Sequence, residues 1–224
     1  MSVGRRAAIL FDNDGVLVDT EGLYLRANQE ILATVGVTLD QAAYVELFLR
    51  TGQGAWHLAQ ARGFDDGAIA SLRAARNRRY CELVAEADVL DLLIAGAREV
   101  VAALARRYRL AIVTSAEPEP FARTHARTGL LPFFEVVLTR EQYQRSKPDP
   151  EPYLAAVARL DLTPAQCLVI EDSERGLRAA RAAGIECWVI PSALTARERF
   201  EGAAAILPDL AAAAARLLSP EDTR

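Results

Sequence analysis

The chain is poor in the residues from which soft metal sites and covalent frameworks are built, with 3 cysteines, 2 histidines and 1 methionine among 224 residues. Cys81, Cys167 and Cys187 are odd in number and lack metal-ligand spacing, so neither a disulfide scaffold nor a zinc site is expected, and they read as reduced structural thiols. His57 and His125 are isolated, with no acid or nucleophile beside them, and read as surface or packed residues. There is no excess of positive charge: 26 basic residues face 30 acidic ones, a net charge of −4. The basic residues are scattered, so nucleic acid is not expected as a partner. Long apolar runs are missing too. Residues 7–11, after Arg5 and Arg6, are cut off by Asp12 before reaching signal-peptide length, and nothing approaches the roughly 20 apolar residues of a membrane span. No membrane contact and a cytoplasmic location are the expectations.

What is present is enough apolar material for a real core, 51% hydrophobic against 25% charged residues. The length exceeds a typical domain of roughly 100 to 150 residues without reaching two, which suits one core plus a smaller inserted module. Short apolar runs rich in branched residues recur at 7–11, 110–114, 136–138, 167–170, 186–190 and 204–207, separated by helical patterns. That alternation predicts an α/β fold, a mostly parallel sheet with helices on both faces. Residues 20–86 read as helical, with breaks near 36–38, 50–54 and 63–67, so a four-helix insertion is expected there. Residues 1–19 and 87–224 then form the core. A helix over 98–107 leads back into it past Ala95-Gly96, and the alanine-rich stretch 210–217 suits a terminal helix.

In an open parallel sheet the ligand site lies beyond the carboxyl ends of the strands. Three of the apolar runs end there in polar residues: Asp12-Asn13-Asp14-Gly15, Thr114-Ser115 and Glu171-Asp172-Ser173. Gly15 supplies turn freedom that lets Asp12 and Asp14 face one locus. Magnesium favours oxygen ligands, and Asp12, Asp14 and Asp172 would suffice, with Glu171 adding a direct or water-mediated contact. Taken alone, an Asp beside Gly is as readily a turn or helix-cap residue, Lys147 a solvated loop lysine, and Thr114 an ordinary strand residue. Their coincidence favours chemistry. Ser173 reads as the N-cap of a helix closed by Gly184, and Gly176 as a point of close helix approach.

With these residues in place, the chain resembles the haloacid dehalogenase-like superfamily over essentially its whole length, in the branch of sugar-phosphate phosphatases and β-phosphoglucomutases whose helical cap follows the first strand. The motifs that carry the likeness are Asp12-Asn13-Asp14-Gly15-Val16-Leu17, Thr114, Lys147 in Ser146-Lys147-Pro148-Asp149-Pro150, and Glu171-Asp172-Ser173 with Gly176. The resemblance implies a Rossmann-like core and a magnesium-dependent phosphatase for a small phosphorylated metabolite: a sugar, polyol or nucleotide phosphate. Asp12 would attack phosphorus and form an aspartyl-phosphate, and Asp14 would act as general acid and base while its backbone carbonyl binds metal. Thr114, Ser115 and Lys147 would hold the phosphoryl oxygens.

The cap is expected to set specificity. Arg50 and Gln53, in a segment where relatives place a substrate-reading loop, are candidates for a sugar hydroxyl or a second anion, and Tyr24 and Arg76 for facing the cleft. A dinucleotide loop is excluded at Gly52-x-Gly54, because no strand precedes it and His57 holds the third glycine position. A phosphosugar mutase is the alternative, disfavoured because Tyr24 and Arg76 stand where such mutases carry a histidine and a lysine. A dehalogenase would leave Asp14 and the Glu171-Asp172 pair without purpose, and a non-catalytic binder would not need Asp12. The chain departs from the family at Asn13, usually bulky and apolar, and at Ala95-Gly96, usually Pro-Gly; neither is expected to touch the chemistry. The oligomeric state is open, and a monomer is compatible with everything above.

Overall fold

The computed structural model describes residues 6–219. Its centre is a sheet of six strands, all parallel: β1 (Ala8–Phe11), β2 (Arg109–Val113), β3 (Val136–Leu138), β4 (Cys167–Glu171), β5 (Glu186–Val189) and β6 (Ala205–Ile206), in the order β3-β2-β1-β4-β5-β6. This is the expected α/β, Rossmann-like class, and all six apolar runs became strands within a residue or two of the expected bounds.

Alternation along the strands divides the core in two. Ile9, Phe11, Leu110, Ile112, Leu168 and Ile170 point to one face, where α6 (Ala97–Leu104), α7 (Pro118–His125) and α10 (Leu210–Leu218) cover them. Ala8, Leu10, Ala111, Val113, Val169 and Val189 point to the other, under α8 (Glu151–Arg159) and α9 (Glu174–Ala182). Burial on both faces is why these strands read as continuous apolar runs and not as alternating ones.

Between β1 and β2 the chain forms α1 (Glu21–Ala33), α2 (Gln41–Tyr44) continuing as a π-helical turn Val45–Arg50, α3 (Trp56–Gln60), the long α4 (Asp66–Glu86) and the short α5 (Val89–Leu92). Their apolar clusters are separate from those of the sheet: one gathers Leu32, Tyr44, Trp56 and Ile69, the other Ala27, Tyr80, Leu83 and Leu92. The two chain crossings pair with each other, Ile94 N donating to Leu17 O at 3.1 Å and Asp19 N to Leu92 O at 2.8 Å. Caps account for several helix starts: Asp40, Asp65, Ser173 and Asp209 each accept from a backbone N–H one turn on. Thr20 holds the same position before α1 but makes no cap bond, because its hydroxyl is engaged elsewhere.

Parallel register aligns the strand ends. Phe11 sits opposite both Ile112 and Ile170, so residues 12, 113–114 and 171–172 emerge at one edge. The edge spans β1 and β4, neighbours whose connections run to opposite sides of the sheet, which is where such sheets open a crevice. Two glycines make room there. At Gly15, φ is +80° and an added Cβ would stand 2.3 Å from Asp172 Oδ2. At Gly176 a Cβ would stand 1.8 Å from Glu171 Oε1, so the close approach expected there is to a buried carboxylate and not to a helix. Gly176→Ala is therefore expected to destabilise the fold by about 1–3 kcal/mol through overpacking, measured by urea unfolding.

Candidate active site

Lys147 organises the edge. Its ammonium is buried and gives its three N–H groups to Asp12 Oδ1 at 2.6 Å, Glu171 Oε1 at 2.7 Å and the Val113 carbonyl at 2.9 Å. Lys147 is the chain's only lysine; every other basic side chain is arginine, whose planar fork does not match three converging acceptors. Burial alone would lower the ammonium, but Asp12 and Glu171 outweigh it and hold it above its ordinary value.

Glu171 is fully committed. Its Oε1 also accepts from Tyr153 at 2.7 Å, and its Oε2 from the backbone N–H of Asp172 and Ser173 and from Ser173 Oγ at 3.0 Å. Burial opposes its ionisation, yet Lys147 and these donors keep it below the usual carboxylate range. The single ammonium thus compensates Glu171, and the neighbouring acids bear the cost of burial. Desolvation pushes Asp12 up to about 7 against the pull of Lys147, and desolvation with the charges of Glu171 and Asp12 pushes Asp172 well up. Oxygens of Asp12, Glu171 and Asp172 lie within 4.8 Å of one another. An all-oxygen cluster short of positive charge fits a hard divalent cation and would not suit a soft one.

Asp14 is left with its backbone carbonyl as the group expected to meet a metal. Its carboxylate is outside that trio and is held instead by Thr20 Oγ1 on Oδ1 and by Asn13 Nδ2, at 3.2 Å, on Oδ2. Beside it, Thr114 Oγ1 accepts from Ala116 N at 3.0 Å, and Ser115 Oγ is buried with no hydrogen-bond partner among the described residues. A buried hydroxyl without a partner at this edge is a ready donor for an anionic ligand.

These groups line a cleft of about 320 Å³ whose far wall comes from the helical insertion. Asp12, Asp14, Thr114, Ser115, Lys147, Glu171, Asp172 and Gln53 all face it, as do Tyr24 and Arg76. Arg50 does not: it pairs with Glu46 at 2.6 Å, one helical turn back, and lines a separate depression between α2 and residues 193–199. The helical period of Val45–Arg50 turns it outward. Besides Lys147, the cationic groups on the cleft wall are Arg73 and Arg175, neither of which makes an ion pair among the described residues, Arg140, which donates to the Tyr143 and Gln144 carbonyls, and the buried Arg76, which donates to Tyr24, Asn28 and Asn77. Glu21 was also not singled out from sequence. It accepts from Tyr44, and burial followed by the charge of Asp14 raises it to about 7. Its place in the first turn after the Asp12–Thr20 segment was the available signal. His57 is exposed, whereas His125 is packed beneath Asn13.

A family model for haloacid dehalogenase-like hydrolases matches residues 7–184. The chain belongs to this family. Protein CbbY of Rhodobacter capsulatus is 36% identical over 221 residues, covering 94% of this chain and 96% of the relative. Fructose-1-phosphate phosphatase YqaB of Escherichia coli is 30% identical over 188 residues, covering 81% and 95%. Among solved structures, an Asp-to-Asn mutant of CbbY from Rhodobacter sphaeroides in complex with xylulose-(1,5)bisphosphate superposes with a TM-score of 0.79 at 30% identity, covering 97% of this chain and 99% of that one. A β-phosphoglucomutase from Clostridium difficile shares the fold, with a TM-score of 0.80 at 19% identity. Family and named phosphatases together make the chain a phosphoric monoester hydrolase. No helix among the described residues is long and apolar enough to cross a membrane.

The raised acids set a pH dependence for metal binding. A cation takes ionised carboxylates, so below about pH 7 a metal at this cluster would have to displace the Asp12 proton. Magnesium affinity, read from the shift in Tm, is expected to be about tenfold or more weaker at pH 6 than at pH 8. Because the folded-state pKa is raised, the metal-free protein is expected to lose stability as pH rises through about 7, and a divalent cation held by the ionised cluster would offset that loss.

Proposed function

We propose that the chain hydrolyses a small phosphomonoester, in the first place a sugar phosphate, in a magnesium-dependent reaction that passes through an aspartyl-phosphate on Asp12. The observation that carries this reading is the state of Asp12. Its Oδ1 is held by Lys147, its Oδ2 takes no hydrogen bond among the described residues, and it sits at the mouth of a cleft beside an acid, Asp14, that is anchored separately. A carboxylate so held is a nucleophile with one oxygen free to attack.

Asp12 and Asp172 would hold the magnesium ion directly and Glu171 through water, since both Glu171 oxygens are already occupied. Bound there, the ion supplies the positive charge that lets a phosphate dianion approach four carboxylates and that steadies charge spread over the phosphoryl oxygens. The protein does the rest. The Ser115 and Thr114 hydroxyls hold the phosphoryl oxygens in line with Asp12 Oδ2, and the charge of Lys147 steadies them at short range. Asp14 gives a proton to the leaving oxygen as the P–O bond breaks, then takes one from the water that cleaves the aspartyl-phosphate. Helices α1–α4, residues 20–86, act as a cap that shields this intermediate from bulk water and selects the substrate.

The substrate class is supported by the cleft and by the relatives' sugar phosphates. Gln53, Arg73 and Asn77 on the insertion and Arg175 on α9 offer donors to substrate hydroxyls, and Arg73 and Arg175, without an ion pair among the described residues, admit a second anionic group. Tyr24 and Arg76 are bonded to each other, which favours hydrolysis over a mutase that needs free acid and base groups in the cap.

Phosphate release from a panel of sugar mono- and bisphosphates checks the reaction. Turnover is expected only with magnesium, lost with EDTA and reduced by about 10⁴-fold or more in Asp12→Asn. Isomer formation from β-glucose 1-phosphate without release would point to the mutase instead. For the cap, Arg73→Ala is expected to raise KM for a bisphosphate by about tenfold while changing KM for the monophosphate little; an equal change for both would remove Arg73 from recognition of a second anion.

A further inference from the structure

We infer that Asn13, oriented by His125, is a positioning residue that sets the Asp14 carboxylate for proton transfer to the leaving oxygen. The inference rests on the phosphatase reading above. It also revises the expectation that the departure from an apolar residue at position 13 leaves the chemistry untouched.

Asn13 is 1% exposed, and its main chain is locked by a turn in which its carbonyl accepts from the N–H of Val16, Leu17 and Val18. Its side chain lies between two polar partners, with Nδ2 3.2 Å from Asp14 Oδ2 and Oδ1 2.8 Å from His125 Nε2. His125 is 3% exposed, packs against Phe121 with ring centroids 4.5 Å apart, and places Nδ1 3.1 Å from Thr128 Oγ1. Burial holds the imidazole down to about 4, so it is neutral when the carboxylates are ionised.

Donor and acceptor roles follow in one direction. An ionised Asp14 can only accept, so the Asn13 amide nitrogen faces it and the amide oxygen faces the imidazole. Nε2 must then carry the histidine proton, leaving Nδ1 to accept from the Thr128 hydroxyl. Each link removes an alternative orientation of the next, and the chain ends on Asp14 Oδ2. Thr20 holds the other oxygen from the opposite side. Asp14 is therefore fixed at two points, one on the helical insertion at the start of α1 and one on α7 through His125. An apolar residue at position 13 would leave the second point empty, and His125 Nε2 would lose its partner Asn13 Oδ1.

The consequence is specific to the protonation step. Asp14 enters this step protonated; as the Asp12 Oδ2–P bond forms and the P–O bond to the leaving group breaks, its proton passes to the leaving oxygen and leaves the ionised carboxylate that Asn13 Nδ2 and Thr20 Oγ1 hold. An alkoxide needs that proton, whereas a nitrophenolate departs without it. Loss of Asp14 positioning thus penalises alkyl phosphates selectively, while general damage to the site or fold penalises both.

The test compares kcat/KM, which reports the steps up to leaving-group departure, for glycerol 3-phosphate and p-nitrophenyl phosphate in the wild type, Asn13→Leu, His125→Leu and His125→Gln. For Asn13→Leu and His125→Leu, the alkyl value is expected to fall by about tenfold or more and the aryl value by less than about threefold. Gln at position 125 can place an amide N–H where Nε2–H stands, so His125→Gln is expected to recover most of the alkyl activity. Equal losses on both substrates, unchanged alkyl activity, or no recovery by Gln would overturn the positioning role and leave the phosphatase reading intact. Absence of metal-dependent release by the wild type from either substrate would overturn both.

Discussion

The site depends on one buried ammonium. Lys147 joins the ends of β1, β2 and β4 through Asp12, the Val113 carbonyl and Glu171, and all three of its protons are used. Removing either carboxylate would strand a buried charge, and removing the ammonium would leave acids facing each other in a medium that screens them poorly. The cluster is nonetheless one or two positive charges short. That deficit raises Asp12 and Asp172, and it is the basis of the proposal that a cation binds before a phosphate does.

The fold supplies this arrangement by register. Parallel strands with matched ends deliver residues 12, 113–115 and 171–172 to one line, and glycines at 15 and 176 admit the Asp172 and Glu171 carboxylates where a methyl group would collide. The insertion is coupled to the same line through Thr20. Its hydroxyl, at the N-cap position of α1, is turned to Asp14 and away from the helix, so the start of the insertion and the proposed acid share a hydrogen bond.

Much of this was legible in the sequence. Strands buried on both faces read as short apolar runs, and the acids and hydroxyls that follow them mark the edge by their positions in the chain. What was not legible depended on helix rotation and on contacts distant in sequence. Arg50 sits in the right segment but turns outward toward Glu46, while Arg73 and Arg175, unremarkable in their own helices, are brought to the cleft by the packing of α4 and α9. That both oxygens of Glu171 are already engaged was hidden, because its bonds to Lys147 and Tyr153 span 24 and 18 residues. The role of Asn13 was hidden for the same reason, since His125 lies 112 residues away. One sequence signal was available and strong: a single lysine among 26 basic residues, placed in the loop that meets the acids.

The central claim is that this charge-starved cluster makes Asp12 the nucleophile. Millisecond acid quenching of the reaction with p-nitrophenyl phosphate, followed by peptide mass spectrometry, tests it directly. The account predicts a phosphoryl group on the peptide containing Asp12, formed only with magnesium and in step with the first release of nitrophenol. A burst of nitrophenol with no label there, or a label on another residue, would contradict it.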